Sequence, residues 1–252
     1  KKYLEKNKVL CTIHHIDDEK IQNEKIDFIK RDYFVNAYHV TNESTKRQLK
    51  KITEKDIYVE PFWVNSKYWF YISNKNILKN KYNINSESYV IGSFQRDSEG
   101  HDVSIPKLSK GPDRLIEIIN NFKKTKEDVH VVLTGKRRDY VIEELKKLKI
   151  NYSYFEMVDM DILNELYNIL DLYIVSSRYE GGPQSIYECA FSKTPIISTD
   201  VGVSNLILSK ESIFNMENYQ NAKPNVDHAY KNVQKYDIEN SMIRFINLIS
   251  KL

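Results

Sequence analysis

The 252-residue chain alternates short apolar runs with helix-length segments between residues 88 and 215. The runs that predict strands lie near residues 88–94, 129–134, 151–156, 172–176 and 195–199. The segments that predict helices lie near residues 111–124, 138–148, 161–170 and 183–191. Short strands separated by helices of this length specify a parallel sheet, because each strand must return through a crossover helix. The sequence therefore predicts an α/β fold of the Rossmann-like, doubly wound type.

The positions of the glycines point to one edge of that sheet. All seven glycines fall between residues 92 and 202, and Gly92, Gly135 and Gly202 each follow an apolar, β-rich run. Ligands of open α/β sheets bind in the crevice at the carboxyl ends of the strands. We therefore expect these glycines to line a binding edge of one domain.

Composition excludes two classes of protein. The net charge is only +3, from 38 basic and 35 acidic residues, which argues against a dedicated nucleic-acid binder. No apolar stretch approaches the roughly 20 residues that a transmembrane helix needs. The sequence predicts a soluble protein of the cytoplasm, with attachment at the membrane periphery left open.

The chain divides into three parts. Before the main domain, further strands are predicted at residues 8–13, 34–41 and 57–62. The aromatic segment 61–70 breaks the alternation and marks a domain junction. The predicted parts are a partial N-terminal α/β domain, a main domain and a C-terminal helix that packs back on the fold, at residues 1–64, 65–226 and 227–252.

Two glutamates eight positions apart carry the most specific chemical signal. Glu180 and Glu188 flank the run Gly181-Gly182-Pro183, and the proline predicts a helix start. Free N–H groups at a helix N-terminus suit a phosphate, whereas the carboxylates suit sugar or ribose hydroxyls. The alternative is a solvated helix with a routine acidic residue, which the apolar neighbours of Glu188 disfavour.

Four further motifs follow in a recognisable order. They are Gly92-Ser-Phe-Gln-Arg96, Lys110-Gly-Pro-Asp-Arg-Leu115, Leu133-Thr-Gly135 and Thr194-Pro-Ile-Ile-Ser-Thr-Asp200-Val-Gly202. Together with the E-x7-E pair Glu180 and Glu188, they closely resemble the nucleotide-binding half of retaining GT-B glycosyltransferases of the family 4 type (glycosyl transferases group 1). The resemblance covers about residues 8–215 and is strongest between 88 and 202.

The resemblance implies roles for the matching residues. Glu188 would accept hydrogen bonds from the ribose hydroxyls of the donor nucleotide, and Glu180 would bind hydroxyls of the donor sugar. Arg96 and Lys110 would neutralise the departing diphosphate. Because the loop of residues 97–109 is inserted here, Lys107 or Arg137 could replace one of them. The N–H groups that would hold the pyrophosphate or sugar belong to Gly181, Gly182 and the following turn, Gln184 and Ser185. Pro183 lies in the same turn and has no N–H to donate.

Other residues that the resemblance implies in contact with the nucleotide-sugar donor lie at the ends of the strands. They are Gly92, Gly135, Met157 and Val158, with the base near residues 155–158. A histidine near the donor sugar would be His14 or His15, and His101 on the inserted loop is a weaker candidate. Asp159 and Asp161 could suggest a metal-binding D-x-D pair, but Asp161 is better explained as the N-cap of a helix over residues 162–170.

The implied activity is transfer of a hexose, with retained configuration, from a UDP- or GDP-linked sugar to a glycan, lipid or other acceptor in polysaccharide biosynthesis. The resemblance implies no cofactor and no essential metal. Three alternatives stay open: a non-catalytic nucleotide-sugar-binding module, a subunit of a split transferase, and a GT-B enzyme of other chemistry such as an epimerase or phosphorylase.

The first domain departs from the family pattern. A GT-B enzyme has two Rossmann-like domains of similar size, and here only about 60 residues precede the junction. We expect the chain to be a fragment or to meet a partner chain that supplies the missing N-terminal half.

Overall fold

The computed structural model describes residues 2–16, 21–100 and 105–252, and its strands form two parallel sheets. The first sheet has the order β1-β2-β3, with β1 (Leu10–Ile13), β2 (Ala37–Val40) and β3 (Asp56–Val59). The second has the order β6-β5-β4-β7-β8-β9, with β4 (Tyr89–Ser93), β5 (Val129–Thr134), β6 (Asn151–Phe155), β7 (Leu172–Val175), β8 (Ile196–Thr199) and β9 (Ile213–Phe214).

Helices connect and cover these strands. Those of the described residues are α1 (Lys2–Lys6), α2 (Ile21–Asp32), α3 (Glu43–Leu49), α4 (Lys75–Lys81), α5 (Pro112–Thr125), α6 (Asp139–Lys147), α7 (Met160–Asn168), α8 (Gln184–Phe191), α9 (Ser204–Ile207), α10 (Val226–Val233) and α11 (Ile238–Ile249). Every strand and helix predicted in the main domain is present within a few residues of its predicted bounds. The short edge strand β9 has no counterpart among the predicted strands, because two residues carry no periodic signal.

The second sheet is buried on both faces. Strands β7 and β8 are buried along their whole length, as the near-continuous apolar runs of covered parallel strands require. Successive residues of a strand point to opposite faces, so Val131 packs in one core cluster and Val132 in the other. The sheet therefore separates two apolar cores that its helices cover.

The strand order reverses between β4 and β7. From β4 the chain builds outward through β5 and β6, then returns to place β7 on the other side of β4. Ligands of open α/β sheets bind at such a switch point, beyond the carboxyl ends of the strands. Gly92 lies inside β4, where an added Cβ would meet Leu170 Cδ1 at 2.3 Å. This packing explains why residue 92 is a glycine, and its contact with the donor nucleotide sugar stays a prediction.

The C-terminal helix returns to the junction between the sheets. Val64 donates its N–H to Tyr236 O at 3.1 Å and accepts from the Ile238 N–H at 2.9 Å. Arg244 of α11 donates to the Glu60 carboxylate at 2.8 Å. These contacts hold α11 against the segment that links β3 to the second sheet. No helix in the described part of the chain is both long and apolar enough to span a bilayer.

A glycine fixes the approach of α5 to β7. Gly111 precedes α5 with a φ of 62°, in the left-handed region that favours glycine. A Cβ built on it would lie 2.0 Å from the carbonyl oxygen of Ser176, just after β7. The backbone before α5 thus lies directly against the end of β7, and this contact places Lys110 at the switch point.

Replacing Gly111 by Ala should strongly destabilise the fold, whereas Gly100→Ala serves as a matched control. Gly100 also has positive φ, at 72°, but no atom of the described residues lies within 4 Å of its added Cβ. We expect Gly100→Ala to cost about 1 kcal/mol from backbone strain alone. Gly111→Ala should cost at least about 2 kcal/mol more, because the backbone must also separate. Urea unfolding of both variants measures the difference, and equal losses would contradict the close contact.

Candidate active site

The loop after β7 leads into α8. Helix α8 begins at Gln184, and Pro183 is its N-cap residue with φ −60° and ψ 117°. The helix thus begins one residue later than the proline predicted. The N–H group of Ile186 donates to Pro183 O at 3.1 Å, whereas those of Gln184 and Ser185 have no intrahelical acceptor. They are available to an acceptor that lies beyond the start of the helix.

Glu180 is held on this loop by a cation and a hydroxyl. Its Oε1 atom forms an ion pair with Lys110 Nζ and lies 3.0 Å from Ser177 Oγ. The side chains of Glu180 and Lys110 are 10% and 25% exposed, so the pair is largely shielded from water. The positive charge next to Glu180 offsets the negative charge of its carboxylate. No described residue donates to its second oxygen, Oε2.

Gln95 joins the end of β4 to the same group. Its Nε2 atom donates to Lys110 O at 2.9 Å, and its Oε1 atom lies 3.3 Å from Ser177 Oγ. Ser177 has a single hydroxyl proton, and the charged, nearer Glu180 is its stronger acceptor. Gln95 and Ser177 were missed by the sequence analysis, because only the pairing of β4 with β7 brings them together.

Arg178 fixes the loop to helix α5. Its guanidinium forms a two-pronged ion pair with Asp113, at 2.8 and 2.6 Å. Hydrogen bonding from Arg178 holds the pKa of the Asp113 carboxyl below its usual value. Fork-shaped pairs of this kind are geometrically specific, so the loop has little freedom to rotate beside Glu180.

Glu188 occupies a drier environment on α8. The hydroxyl of the buried Tyr167 donates to its Oε2 atom at 2.5 Å, and no described residue donates to its Oε1 atom. Burial raises the pKa of Glu188 to about 7, and the Tyr167 hydroxyl opposes that rise. A carboxyl with one oxygen engaged and the other open can accept a hydrogen bond from an entering hydroxyl.

The two histidines predicted near the site lie in different positions. His15 lines the cleft next to Glu180, and burial lowers its pKa while the Glu180 carboxylate opposes that change. His14 instead packs its ring 5.2 Å from that of Phe62 and is not among the residues that line the cleft. The structure therefore favours His15 of the pair. His101 lies outside the described residues.

A cleft of about 740 Å³ opens between the two sheets beside Glu180. The first sheet and its helices contribute polar groups such as His15, Glu43 and Arg47, and the second contributes Glu180 and Asp200. Glu188 does not line this cleft. The two glutamates therefore face different spaces, with Glu180 at the cleft wall and Glu188 beside Tyr167.

The remaining predicted residues lie at the ends of β4, β5 and β6. Arg96 is exposed and has no hydrogen-bond or ionic partner among the described residues. Gly135 has a φ of 84° with open space around it, and Met157 is 70% exposed, whereas Val158 packs on the core. Within the described part of the chain, no hydrogen bond or ion pair joins any of these to the two glutamates.

The loop after β4 is anchored by a buried ion pair. Arg138 donates from Nε to the Asp97 carboxylate at 2.7 Å, and both side chains are almost fully buried. Asp97 also receives the Lys107 N–H at its carbonyl oxygen, at 2.7 Å. Removing one partner of such a pair leaves a buried charge uncompensated, so the pair fixes the start of the inserted loop.

The helix cap predicted at Asp161 is wrong. Asp159 caps α7, because its carboxylate accepts the Ile162 N–H at 3.0 Å, and Asp161 lies in the first turn of the helix. The sequence pattern thus sets the helix start one or two residues too late. Across residues 2–16, 21–100 and 105–252, no cluster of three or more His, Cys, Asp or Glu side chains could hold a metal ion.

Replacing Glu188 by Gln should change how stability depends on pH. The pKa of about 7 in the folded state lies above the ordinary value of 4.5, so the wild-type protein loses stability as pH rises between these values. Glu188→Gln removes that loss. As pH rises through this range, the free energy of unfolding of the variant should increase by up to about 3 kcal/mol relative to that of the wild type. Urea unfolding near pH 5 and near pH 8 measures this, and a similar gain in the exposed Glu143→Gln control would contradict it.

The fold resembles solved glycosyltransferase structures. HepE from Anabaena in complex with UDP-glucose aligns over 100% of this chain and 74% of its own, with 14% identity and a TM-score of 0.80. Sucrose-phosphate synthase from Thermosynechococcus elongatus aligns over 96% of this chain and 67% of its own, with 14% identity and a TM-score of 0.76. A glycosyltransferase from Rickettsia africae aligns over 96% and 70%, with 20% identity and a TM-score of 0.67.

These similarities confirm the predicted fold class, parallel Rossmann-like sheets of the GT-B type. No curated protein matches the sequence. The family model for glycosyl transferases group 1 matches residues 75–237, which include Lys110, Glu180 and Glu188. Because that match covers more than half of the chain, the chain belongs to the glycosyl transferases group 1 family.

Proposed function

We propose that this transferase moves a hexose from a UDP- or GDP-linked sugar to an acceptor with retention of configuration, as in the family 4 type. The observation that carries the proposal is that Lys110, Ser177 and Glu180 meet at the switch point. This group lies just before the start of α8, the helix that contains Glu188. The group offers a cation, a carboxylate and free amides in one place. These are the contacts that a nucleotide diphosphate sugar needs.

Glu188 suits the ribose of the donor nucleotide. Its Oε2 atom is engaged by Tyr167, and its Oε1 atom receives no donor from the described residues. The carboxyl would accept hydrogen bonds from the ribose hydroxyls, which carry no charge and are not repelled by it. Its burial makes each such bond stronger, because water competes less for the carboxylate.

The ion pair between Lys110 and Glu180 would allow a carboxylate to lie beside a diphosphate, because the ammonium reduces the repulsion between them. The ammonium of Lys110 has three N–H donors, and the ion pair with Glu180 uses one of them. The others can reach a phosphate oxygen while Glu180 offers Oε2 to a sugar hydroxyl. Lys110 would then stabilise the charge that grows on the diphosphate as it leaves, with Arg96 as the second, solvent-exposed cation.

The engagement of Glu180 supports retention without a covalent intermediate on that residue. The Lys110 ammonium and the Ser177 hydroxyl hold Oε1, and Oε2 would be engaged by a sugar hydroxyl, so neither oxygen would be left to act as a nucleophile. Glu180 would instead orient the sugar, and the acceptor would attack from the face that the nucleotide leaves. His15, next to Glu180 on the cleft wall, would contact the sugar from the first sheet.

The HepE structure contains UDP-glucose, which makes UDP sugars the first donors to test. The glycan or lipid-linked acceptor, the role in polysaccharide biosynthesis and the cytoplasmic location stay predictions. So do the absence of a metal requirement and the need for a partner chain.

The decisive experiment screens the purified chain against UDP, GDP and a panel of their sugars, by thermal unfolding and by donor hydrolysis. A ligand that binds the native state raises the melting temperature, so one nucleotide should stabilise the wild-type chain and its sugar should be hydrolysed. Glu188→Ala should lose both effects, while Glu143→Gln should keep them. Stabilisation without turnover would favour the binding-module alternative, and no stabilisation by any nucleotide would refute the proposal.

Replacing Lys110 by Met should slow turnover more than it weakens binding. The ammonium acts most strongly on the charge that develops in the transition state, so kcat should fall by about 100-fold with a smaller change in KM. The matched control is Lys146→Met, which removes an exposed ion pair to Glu143 far from the loop. Steady-state hydrolysis of the donor measures both variants. A lower affinity with unchanged kcat would show that Lys110 binds the ground state and the transition state equally, which would contradict its proposed role.

A further inference from the structure

One backbone carbonyl of the glycine loop receives two hydrogen bonds from the first sheet unit. Thr41 Oγ1 donates to Gly181 O at 2.6 Å, and Asn42 Nδ2 donates to the same oxygen at 2.7 Å. Thr41 and Asn42 directly follow β2 and are both buried. The two units of the fold therefore meet, through buried donors, at the residue next to Glu180.

The amide of Asn42 can point only one way. Its Oδ1 atom accepts the Thr45 N–H at 2.8 Å and caps α3, so its Nδ2 atom must face Gly181. The N-cap bond fixes the side chain in place, because turning the amide over would lose the cap and place two acceptors against each other. Asn42 thus links the start of α3 rigidly to the loop.

The surroundings of Gly181 leave no room for another arrangement. A Cβ added to Gly181 would lie 1.9 Å from the His14 carbonyl oxygen, and one added to Gly202 would lie 2.9 Å from Gly181 O. The peptide is therefore enclosed by the end of β1 on one side and by the turn after β8 on the other. Thr41 and Asn42 complete this enclosure.

We propose that Thr41 and Asn42 are positioning residues for the transfer reaction, because they set the orientation of the Gly181–Gly182 peptide that faces the donor sugar. The inference rests on the proposed function. It adds two residues of the first sheet unit to a site whose other proposed groups, apart from His15, belong to the second. Neither residue needs to touch the donor, since both act through the backbone of the loop.

The planarity of the peptide bond links the orientation of the Gly181 carbonyl to that of the Gly182 N–H, which would face the sugar nucleotide. In a trans peptide the C=O and N–H groups point in opposite directions. With Gly181 O directed at Thr41 and Asn42, the Gly182 N–H points away from them, and no described residue accepts it. That N–H is a fixed donor for a sugar hydroxyl or a phosphate oxygen beside Glu180.

Three variants separate this role from a general loss of stability. Thr41→Val removes one donor and keeps the shape of the side chain, and Thr41→Ser restores the hydroxyl. Asn42→Asp keeps an oxygen for the α3 cap but loses the Nδ2 donor. The matched control is Thr53→Val in the same sheet unit, where the hydroxyl donates to Asp32 at 2.8 Å and not to the loop.

The measurements are kcat and KM for hydrolysis of UDP-glucose, or of whichever nucleotide sugar the wild type hydrolyses fastest, and the affinity for UDP alone. We expect Thr41→Val and Asn42→Asp to lower kcat by about tenfold or more, because a small displacement of a fixed donor is costly in the transition state. UDP affinity should change less than about twofold, because the proposed nucleotide contacts lie in the second unit. Thr41→Ser and Thr53→Val should keep kcat near the wild-type value.

Two outcomes would overturn the positioning role while the wild type is active. One is an unchanged kcat in both Thr41→Val and Asn42→Asp, and the other is an equal loss in Thr53→Val, which would indicate a stability effect. A wild-type chain that neither binds UDP nor hydrolyses any donor would instead refute the proposed function, and the positioning role with it. The two failures are therefore distinguishable in one set of assays.

Discussion

The parallel pairing of β4 with β7 is the constraint on which the site depends. It reverses the strand order of the second sheet, so the segments that follow the two strands diverge and leave a crevice between them. Gln95 comes from one side of that crevice and Ser177 from the other, and both meet Lys110. The close contact of Gly111 with Ser176 holds this arrangement together, because any larger residue would push α5 away from β7.

The negative charge of the two glutamates is reduced in two different ways. The charge of Glu180 is offset by an ion pair with Lys110, and partial burial raises the pKa of Glu188 to about 7. Both devices reduce the repulsion that two ionised carboxylates would exert on a diphosphate. In the proposed function, Glu180 beside Lys110 would orient sugar hydroxyls at the cleft, and the desolvated Glu188 would accept hydrogen bonds from the ribose hydroxyls.

The elements of the second sheet could be predicted because their residues are periodic over several turns or pleats. The positions of Glu180, Glu188 and Lys110 near strand and helix ends could be predicted because short motifs mark those ends. The cap of α7 could not be assigned correctly, since Asp159 and Asp161 both suit an N-terminus and only the backbone path separates them. The packing of Gly92 against Leu170 could not be predicted either, because a glycine after an apolar run looks the same whether it opens a loop or packs inside the sheet.

The sequence by itself determined the alternating α/β pattern, the parallel sheet and the carboxylates of the E-x7-E pair, because these depend on neighbours along the chain. Only the tertiary structure decided which residues meet across it. Thr41 and Asn42 reach Gly181, about 140 positions away, and Tyr167 reaches Glu188, because strand order and helix packing bring them into contact. Local patterns carry no information on such pairs, and likewise only the fold shows that His15, and not His14, lines the cleft.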